Sequence, residues 1–391
     1  MKPRALLIFL VVLIFYSSFG YAQISPYNGV LLPYQGSSLS RPVRANAPLI
    51  FSDPFNNPAV YCFTKSASVA TALNLTYVDE QIELSLLDPG EKSSNQQLRL
   101  NPAFVMGILP FSVRHIDLVA GLTLEKIGEP EIGLWKVPSE WNKSYLDQKR
   151  DRNIYRSSVN LSVPLSRYLG LGIGWIQWYG KESWKNTDST GETISDGTVP
   201  YNGSSFSIGI IYSRKVFALY ADLHSPFTMT DNGELSVPIG TNADFSFQQK
   251  YGGALSAGAR ISPWRKLSFE VDYQYQGKIN LEYSRSTDIG SYDRKFEYGP
   301  LHLLDISTEY TLKFDRCQVP LFLRYLHVWL PDAPSMWLSI DLTPTYFSSD
   351  NSQSRFMLGS DLLTQKWGFH TALEIVPRTC YHATNFVAPY S

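Results

Sequence analysis

The stretch ISPWRKLSFEVDYQYQ, residues 261–276, narrows the choice of fold for this chain. After a short break around Pro263, apolar and polar side chains alternate without interruption. The apolar side holds Leu267, Phe269, Val271, Tyr273 and Tyr275, and the polar side holds Ser268, Glu270, Asp272, Gln274 and Gln276. A period of two is the side-chain period of a β-strand. One such strand fits a soluble β-sandwich as well as a membrane β-barrel, so the rest of the chain must decide.

The same pattern recurs along the chain, and its turns are of two kinds. Alternating segments joined by short polar turns occupy residues 109–126, 160–175, 204–223 and 310–326. The other ends lead into longer polar stretches, which we expect to be loops: residues 79–97, 127–153, 181–203, 225–244 and 279–299. Short turns at one end and long loops at the other are typical of outer-membrane barrels. We therefore expect an all-β fold, a transmembrane antiparallel β-barrel of about 14 strands, each near the length that crosses a bilayer.

The composition agrees with a barrel and excludes one class of partner. Of the residues, 44% are hydrophobic and 18% charged, and the formal net charge is −1. Nucleic-acid binding needs a basic surface, so we expect no nucleic-acid partner. The aromatic content of 14% suits a barrel with aromatic girdles at the two edges of the membrane.

The N-terminus predicts export. Lys2 and Arg4 precede an apolar run over residues 5–16, and a small-x-small site ends at Ala22. This is the pattern of a signal peptide, residues 1–22, with cleavage before Gln23. An uncleaved anchor helix is the alternative, although the run is short for a span of about 20 residues. Together with the strand pattern, this predicts a multi-pass protein of the bacterial outer membrane, in contact with its lipid.

Charged residues fall on the polar side of the strands, which would line the lumen. They are Asp117, Glu125, Asp222, Glu270, Asp272, Asp305, Glu309, Arg324, Asp341, Asp361 and Glu374. We favour a solvated, salt-bridged interior, and the alternative is a substrate path lined by selected acids. Glu270 and Asp272 could suggest a glycosidase pair, but neighbours on one strand face need no catalytic reason.

Residues 23–65 lack strand periodicity and are rich in Pro, Ser and Asn. A barrel of this size has a lumen wide enough to need filling. We therefore expect residues 23–65 to form an N-terminal hatch inside the barrel, and residues 66–391 to form the barrel itself.

Three motifs give the chain a family resemblance. They are DPFNNPAVY (residues 53–61), LHSPFTMTDNGELSV (residues 223–237) and ISPWRKLSFEVDYQY (residues 261–275). In order and spacing they resemble the FadL-like family, outer-membrane transporters of long-chain fatty acids and other hydrophobic compounds. The resemblance extends over about residues 40–276. It implies a 14-stranded barrel whose hatch is closed by Asn57, Pro58 and Ala59, and uptake of hydrophobic small molecules such as fatty acids or hydrocarbons.

The resemblance further implies that apolar outer loops capture the ligand. In this sequence the best capture surface contains Leu134, Trp135 and Trp141, and a second candidate is Phe227 with Met229. Exposed aromatic residues in a long loop form either a binding surface or an interfacial belt, and both remain open here.

Two other functions compete with uptake. One is a FadL-like barrel component of a type IX protein secretion system, or a structural outer-membrane protein. The other is a barrel enzyme, such as a phospholipase, with Ser and His at an outward strand end. None of the six histidines shows a Ser or Asp partner at usable spacing, so we expect no enzyme and no catalytic residues. The three cysteines lack metal-ligand spacing, and we expect neither a metal nor a cofactor.

Overall fold

A computed structural model describes residues 57–84, 91–126, 134–138, 145–187, 190–236, 243–264, 266–287, 290–315, 317–329, 352–363 and 368–375. These residues form one 3₁₀ turn, Pro58–Tyr61, and an 18-stranded antiparallel sheet. The strands are β1 (Ser68–Leu84), β2 (Glu91–Val113), β3 (Ile116–Lys126), β4 (Leu134–Pro138), β5 (Tyr145–Pro164), β6 (Leu169–Thr187), β7 (Thr193–Ser213), β8 (Phe217–His224), β9 (Phe227–Ser236), β10 (Ala243–Tyr251), β11 (Ala254–Trp264), β12 (Leu267–Gln276), β13 (Ile279–Thr287), β14 (Gly290–Tyr298), β15 (Leu301–Lys313), β16 (Gln318–Trp329), β17 (Ser352–Leu363) and β18 (Gly368–Ile375). In the described part of the chain, no helix is long and apolar enough to cross a membrane.

Several of these strands are halves of one longer span. Strand β8 continues into β9, β10 into β11, β12 into β13, and β14 into β15, with two residues between the halves each time. The pairing keeps its register across the interruption: His224 pairs with Ala254 on one side, and Phe227 pairs with Tyr251 on the other. Strands β3 and β4 flank residues outside the description and count as one further span. The 18 strands therefore make 13 spans, and the count of about 14 stays a prediction.

The four interruptions lie side by side, and we call them the break row: residues 225–226, 252–253, 277–278 and 299–300. Ser, Gly, Lys and Pro residues fill this row. Hydrogen bonds continue across it, since Gly252 N donates to Lys278 O at 2.8 Å and Gly277 N donates to Gly253 O at 2.9 Å. A Cβ atom on Gly252 would lie 2.9 Å from backbone atoms of Gly277, so the two strands approach too closely for a side chain there.

The expectation that the long polar stretches are loops was wrong for most of their length. Residues 225–236, for example, are mostly strand β9, and residues 279–298 are mostly strands β13 and β14. The apolar alternation disappears in these segments because their outward side chains face water instead of lipid. The backbone hydrogen bonds of a strand do not depend on that alternation, so the sheet continues where the pattern ends.

The outward face of the sheet is apolar between the short turns and the break row. Fully apolar side chains are exposed there on neighbouring strands, including Phe206 at 64%, Ile173 at 59% and Val271 at 45%. Aromatic residues border this band on both sides: Tyr168, Tyr212, Phe217, Trp264 and Phe314 near the short turns, and Tyr179, Tyr273, Tyr325 and Trp329 near the break row. A soluble protein does not expose a band of this kind, whereas a barrel in lipid requires it. The all-β antiparallel fold is thus confirmed.

Candidate functional site

The opposite, inward face of the sheet carries a short segment that precedes β1. Residues 57–62, which we call the interior turn, are almost completely buried. Ala59 N donates to Asn57 Oδ1 at 2.9 Å, so Asn57 caps the 3₁₀ turn, and Pro58 suits its first position. Asn57 Nδ2 also donates to Ala221 O in β8 at 3.3 Å. The Asn-Pro sequence thus forms the turn and fixes it to the sheet.

Glycines give the interior turn its place on the sheet. Cβ atoms on Gly172 and Gly209 would overlap Pro58 and Asn57, so these strands can approach the turn only without side chains. Ser162 Oγ donates to Pro58 O at 2.6 Å from the neighbouring strand β5. The predicted hatch residues Asn57, Pro58 and Ala59 therefore lie buried against the inward face, while residues 23–56 of the predicted hatch lie outside the described residues.

The far end of the interior turn packs equally closely. The ring of Tyr61 lies beside Gly121, and its hydroxyl donates to Met106 Sδ at 3.8 Å. Cys62 Sγ fills the space beside Gly170. Burial raises the pKa of the Cys62 thiol to about 12, because the low-dielectric surroundings disfavour the thiolate. Cys62 and Cys317 are both free thiols.

Next to the interior turn, four buried polar side chains form a row across the sheet. Asn160 pairs with Gly174, Gly174 with Ser207, Ser207 with His224, His224 with Ala254, and Ala254 with Gln276. Because paired residues point to the same face, the side chains of Asn160, Ser207, His224 and Gln276 lie side by side. All four are at most 5% exposed. We call this arrangement the polar row.

Beyond the polar row, three aromatic rings are stacked. The Phe227 ring lies between Trp178 and Tyr251, with centroid distances of 4.1 and 4.6 Å and interplanar angles of 6° and 7°. Met229 and Ile279 are buried in the same region, at 0% and 2% exposure. We call Trp178, Phe227 and Tyr251 the aromatic stack. Its position on the inward face makes this part of the interior apolar.

Ion pairs occupy the inward face at other positions, as the interpretation of a salt-bridged interior expected. Arg156 contacts Glu125 at 2.5 Å, Arg260 contacts Glu309 at 3.5 Å, and Arg324 pairs with Asp305. Glu270 accepts a hydrogen bond from Tyr220 at 2.7 Å, and Asp272 is buried near the same tyrosine. Asp117 differs from the expectation, since it is exposed beside a short turn and accepts a bond from Ser112. The side chains of Asp341, Asp361 and Glu374 lie outside the description.

The expectation that no histidine has an acidic partner was wrong. His224 Nε2 lies 2.9 Å from Asp222 Oδ2, and Ser256 Oγ donates to Asp222 Oδ1. The sequence did contain the signal, because two residues separated by one position on a strand share a face. Asp222 and His224 meet this condition.

The predicted capture residues lie in strands rather than loops. Phe227 and Met229 belong to β9 and point inward, where they are 6% and 0% exposed. They could therefore contact a ligand inside the protein but not capture one from a surface loop. Leu134 and Trp135 begin β4, which pairs with β5 as a hairpin. The side chains of Leu134 and Trp135, and all of Trp141, lie outside the description.

Comparison with solved structures identifies the fold. A TodX deltaS2S3 mutant, a monoaromatic hydrocarbon channel, is similar over 87% of this chain and 97% of that chain, with 12% identity and a TM-score of 0.52. The Pseudomonas putida toluene transporter TodX is similar over 82% and 86%, with 12% identity and a TM-score of 0.49. A Pseudomonas aeruginosa FadL homologue is similar over 83% and 85%, again with 12% identity and a TM-score of 0.49. No protein-family model and no curated protein sequence matches. The similarity to the TodX deltaS2S3 mutant confirms at the level of the fold the resemblance seen in the sequence: the chain has the antiparallel β-barrel fold of the FadL type.

Proposed function

We propose that the protein is an outer-membrane channel that takes up hydrophobic small molecules. The apolar outward face fits lipid, and the aromatic stack is the observation that carries the proposal. The lumen of a water-filled porin is polar, whereas the inward face here buries Trp178, Phe227, Met229 and Tyr251 next to one another. Sites for hydrophobic ligands combine apolar walls with a few polar groups, as the aromatic stack and the polar row do together.

In the closed state of the proposed channel, the interior turn blocks the pathway. It occupies the inward face beside the polar row and is held by Ser162 and by Ala221. In this proposal residues 23–65 are the hatch, and the turn is its seal. Passage of a ligand then requires the turn to shift away from Gly172 and Gly209, where its contacts are closest.

Long-chain fatty acids and hydrocarbons are the cargo classes to test first. The similar solved structures are a toluene transporter and a monoaromatic hydrocarbon channel, which supports a hydrophobic cargo for this chain as a proposal. Leu134, Trp135 and Trp141 are proposed as the outer capture surface. The double substitution of Trp135→Ala and Trp141→Ala should reduce uptake and leave assembly intact, since each indole contributes about 1–3 kcal/mol of apolar contact.

The direct test is uptake by bacteria that lack other channels for hydrophobic compounds. Cells that produce the protein should take up a fluorescent fatty acid or a labelled hydrocarbon faster than cells without it. Phe227→Ala should lower that rate about tenfold, because loss of the ring removes about 1–3 kcal/mol of apolar contact with the ligand. Phe206→Ala is the matched control, since Phe206 points to the lipid side.

Two results would contradict the proposal. The first is wild-type uptake no faster than in cells without the protein. The second is an equal effect of the Phe227 and Phe206 substitutions at equal surface levels, since that would place the apolar pathway outside the aromatic stack.

A further inference from the structure

A compact polar site lies between the aromatic stack and the interior turn. Its residues are Asn160, Gly174, Ser205, Ser207 and His224, and we call it the Gly174 site. Both Asn160 Oδ1 and Ser207 Oγ lie over Gly174, in the space that a Cβ atom would otherwise fill. Ser205 is the next inward residue on β7, two positions from Ser207, and it pairs with Ile176. The site therefore spans β5, β6, β7 and β8.

Two hydroxyl groups of the Gly174 site have no hydrogen-bond partner in the described part of the chain. They are Ser205 Oγ and Ser207 Oγ, on residues that are 1% and 5% exposed. A buried polar group without a partner costs free energy, so native structures rarely keep one without a reason. The other side chains are already engaged: Asn160 Nδ2 donates to Ser158 Oγ at 2.9 Å, and His224 Nε2 faces Asp222. The two serines are thus available to a ligand.

The aromatic stack lies directly beyond these serines. Gly203, the next inward residue of β7, pairs with Trp178, and a Cβ atom on Gly203 would lie 3.0 Å from Met229 Cγ. A ligand whose head reaches Ser205 and Ser207 would therefore place its body against Trp178 and Phe227. The geometry suits an elongated molecule with one polar end.

The charges around the site disfavour a carboxylate head. Each buried arginine within the described residues already faces an acid: Arg156 faces Glu125, Arg260 faces Glu309, and Arg324 faces Asp305. The histidine of the site faces Asp222, and Glu270 and Asp272 are buried on β12 beyond it. Among the described residues, a carboxylate head would find these cations already paired with acids, and an ammonium head would find the acids already engaged, so a charged head of either sign is disfavoured.

We infer that the Gly174 site binds the uncharged, hydrogen-bond-donating head of a hydrophobic cargo, such as a hydroxyl group, while the apolar body contacts the aromatic stack. This inference rests on the proposed uptake function and narrows its substrate class. Within that class, fatty alcohols are preferred to fatty acids and to alkanes. The preference arises because a site with unpaired buried hydroxyls gains hydrogen bonds only from a ligand that supplies the matching group.

The test compares four cargoes that differ only in the head group. Cells that produce the full chain are given labelled dodecane, 1-dodecanol, dodecanoate or dodecylamine, and the initial uptake rate is divided by that of cells without the protein. We expect the ratio for 1-dodecanol to exceed each of the others about fivefold. The double substitution of Ser205→Ala and Ser207→Ala should lower the 1-dodecanol ratio to that of dodecane.

Ser307→Ala is the control for loss of a buried inward serine, since Ser307 lies on β15, away from the site. It should leave all four ratios unchanged. Dodecanoate or dodecylamine entering as fast as 1-dodecanol would overturn the inference, and so would a double variant that keeps the wild-type alcohol ratio. Those outcomes leave the uptake function intact, whereas four ratios of one would refute the uptake function itself.

Discussion

Strands β12 and β13 are two halves of one span, and they differ in what their outward side chains face. The outward residues of β12 include Phe269, Val271 and Tyr273, which are 40–45% exposed. At and beyond the break row, charged residues lie on the outward face: Lys278 pairs with Glu297 at 2.5 Å. Glu282 in β13 likewise contacts Lys250 and Lys295.

The backbone pairing of the two halves does not change with this difference in their surroundings. β12 pairs with β11 and β15, and β13 pairs with β10 and β14, all antiparallel. The register is the same on both sides of the break row, and the shift between Ile261 and Trp264 lies at the other end of β11. The edge of the membrane therefore falls inside the span, at the break row. Strand length alone overestimates the part of the protein that crosses the bilayer.

The largest expected effect comes from adding the same charge to each half. Val271→Arg places a guanidinium in the apolar band and should destabilise the barrel by about 2–4 kcal/mol, whereas Asn280→Arg, beyond the break row, should cost about 0–1 kcal/mol. Heat-modifiability gels and urea unfolding in detergent measure both variants. Equal destabilisation by the two substitutions would show that the break row is not the membrane boundary.

The second prediction compares a substitution on the inward face of the sheet with one on the outward face. Gly172→Ala introduces a methyl group where Pro58 lies and should destabilise the closed state by about 1–3 kcal/mol through overpacking. Gly107→Ala is the control, because no atom lies within 4 Å of the position its Cβ would take. Single-channel conductance should rise for Gly172→Ala alone. If both variants conduct like the wild type, the interior turn does not close the pathway.

The third prediction compares the two described cysteines. Cys62 is buried in the interior turn, and Cys317 lies at a turn between two strands. In a Cys380→Ser background, maleimide at pH 8 should label Cys317 at a turn and leave Cys62 unlabelled. Burial raises the pKa of Cys62 to about 12, so its reactive thiolate is scarce until the pH approaches that value. Unfolding in urea should equalise the two rates. Fast labelling of Cys62 in the folded protein would place the interior turn in contact with water.

The smallest effect is expected where the surface is fully exposed. The pKa of Lys278 is raised by the neighbouring carboxylate of Glu297, yet both side chains are more than half exposed. Solvent and salt screen such a pair, so Lys278→Gln should leave the melting temperature unchanged within error. A clear loss of stability that disappears in high salt would show instead that the outer half depends on its ion pairs.

The sequence predicted the half of each span that lies in lipid, and it did so for a physical reason. In this half, one face of the strand contacts lipid and the other faces the interior, so apolar and polar residues must alternate. Phe269, Glu270, Val271 and Asp272 show this alternation in the sequence. Beyond the break row water lies outside, so the outward residues are no longer apolar. The sequence of β13 therefore lacks the apolar–polar alternation that would predict a strand.

The residues of the site could likewise be predicted only where a local sequence pattern revealed them. Asn57, Pro58 and Ala59 were identified by a motif, and the structure places them on the inward face. Phe227 was assigned to a surface loop because the strand before it ends at Ser225-Pro226. Its stacking on Trp178 and Tyr251 joins residues far apart in the chain, which no local pattern could reveal.

The interior turn also has a consequence for how the protein is built. It packs on β3, β5, β6 and β7 and donates a hydrogen bond to β8, all in the N-terminal part of the sheet. All of these strands precede β9 in the chain, so these contacts of the turn need no strand of the C-terminal part of the sheet. The turn can therefore dock on a half-finished sheet before the later strands arrive. The seal of the proposed channel would then be in place before there is a barrel to seal, and the newly inserted protein would never leave an open hole in the membrane.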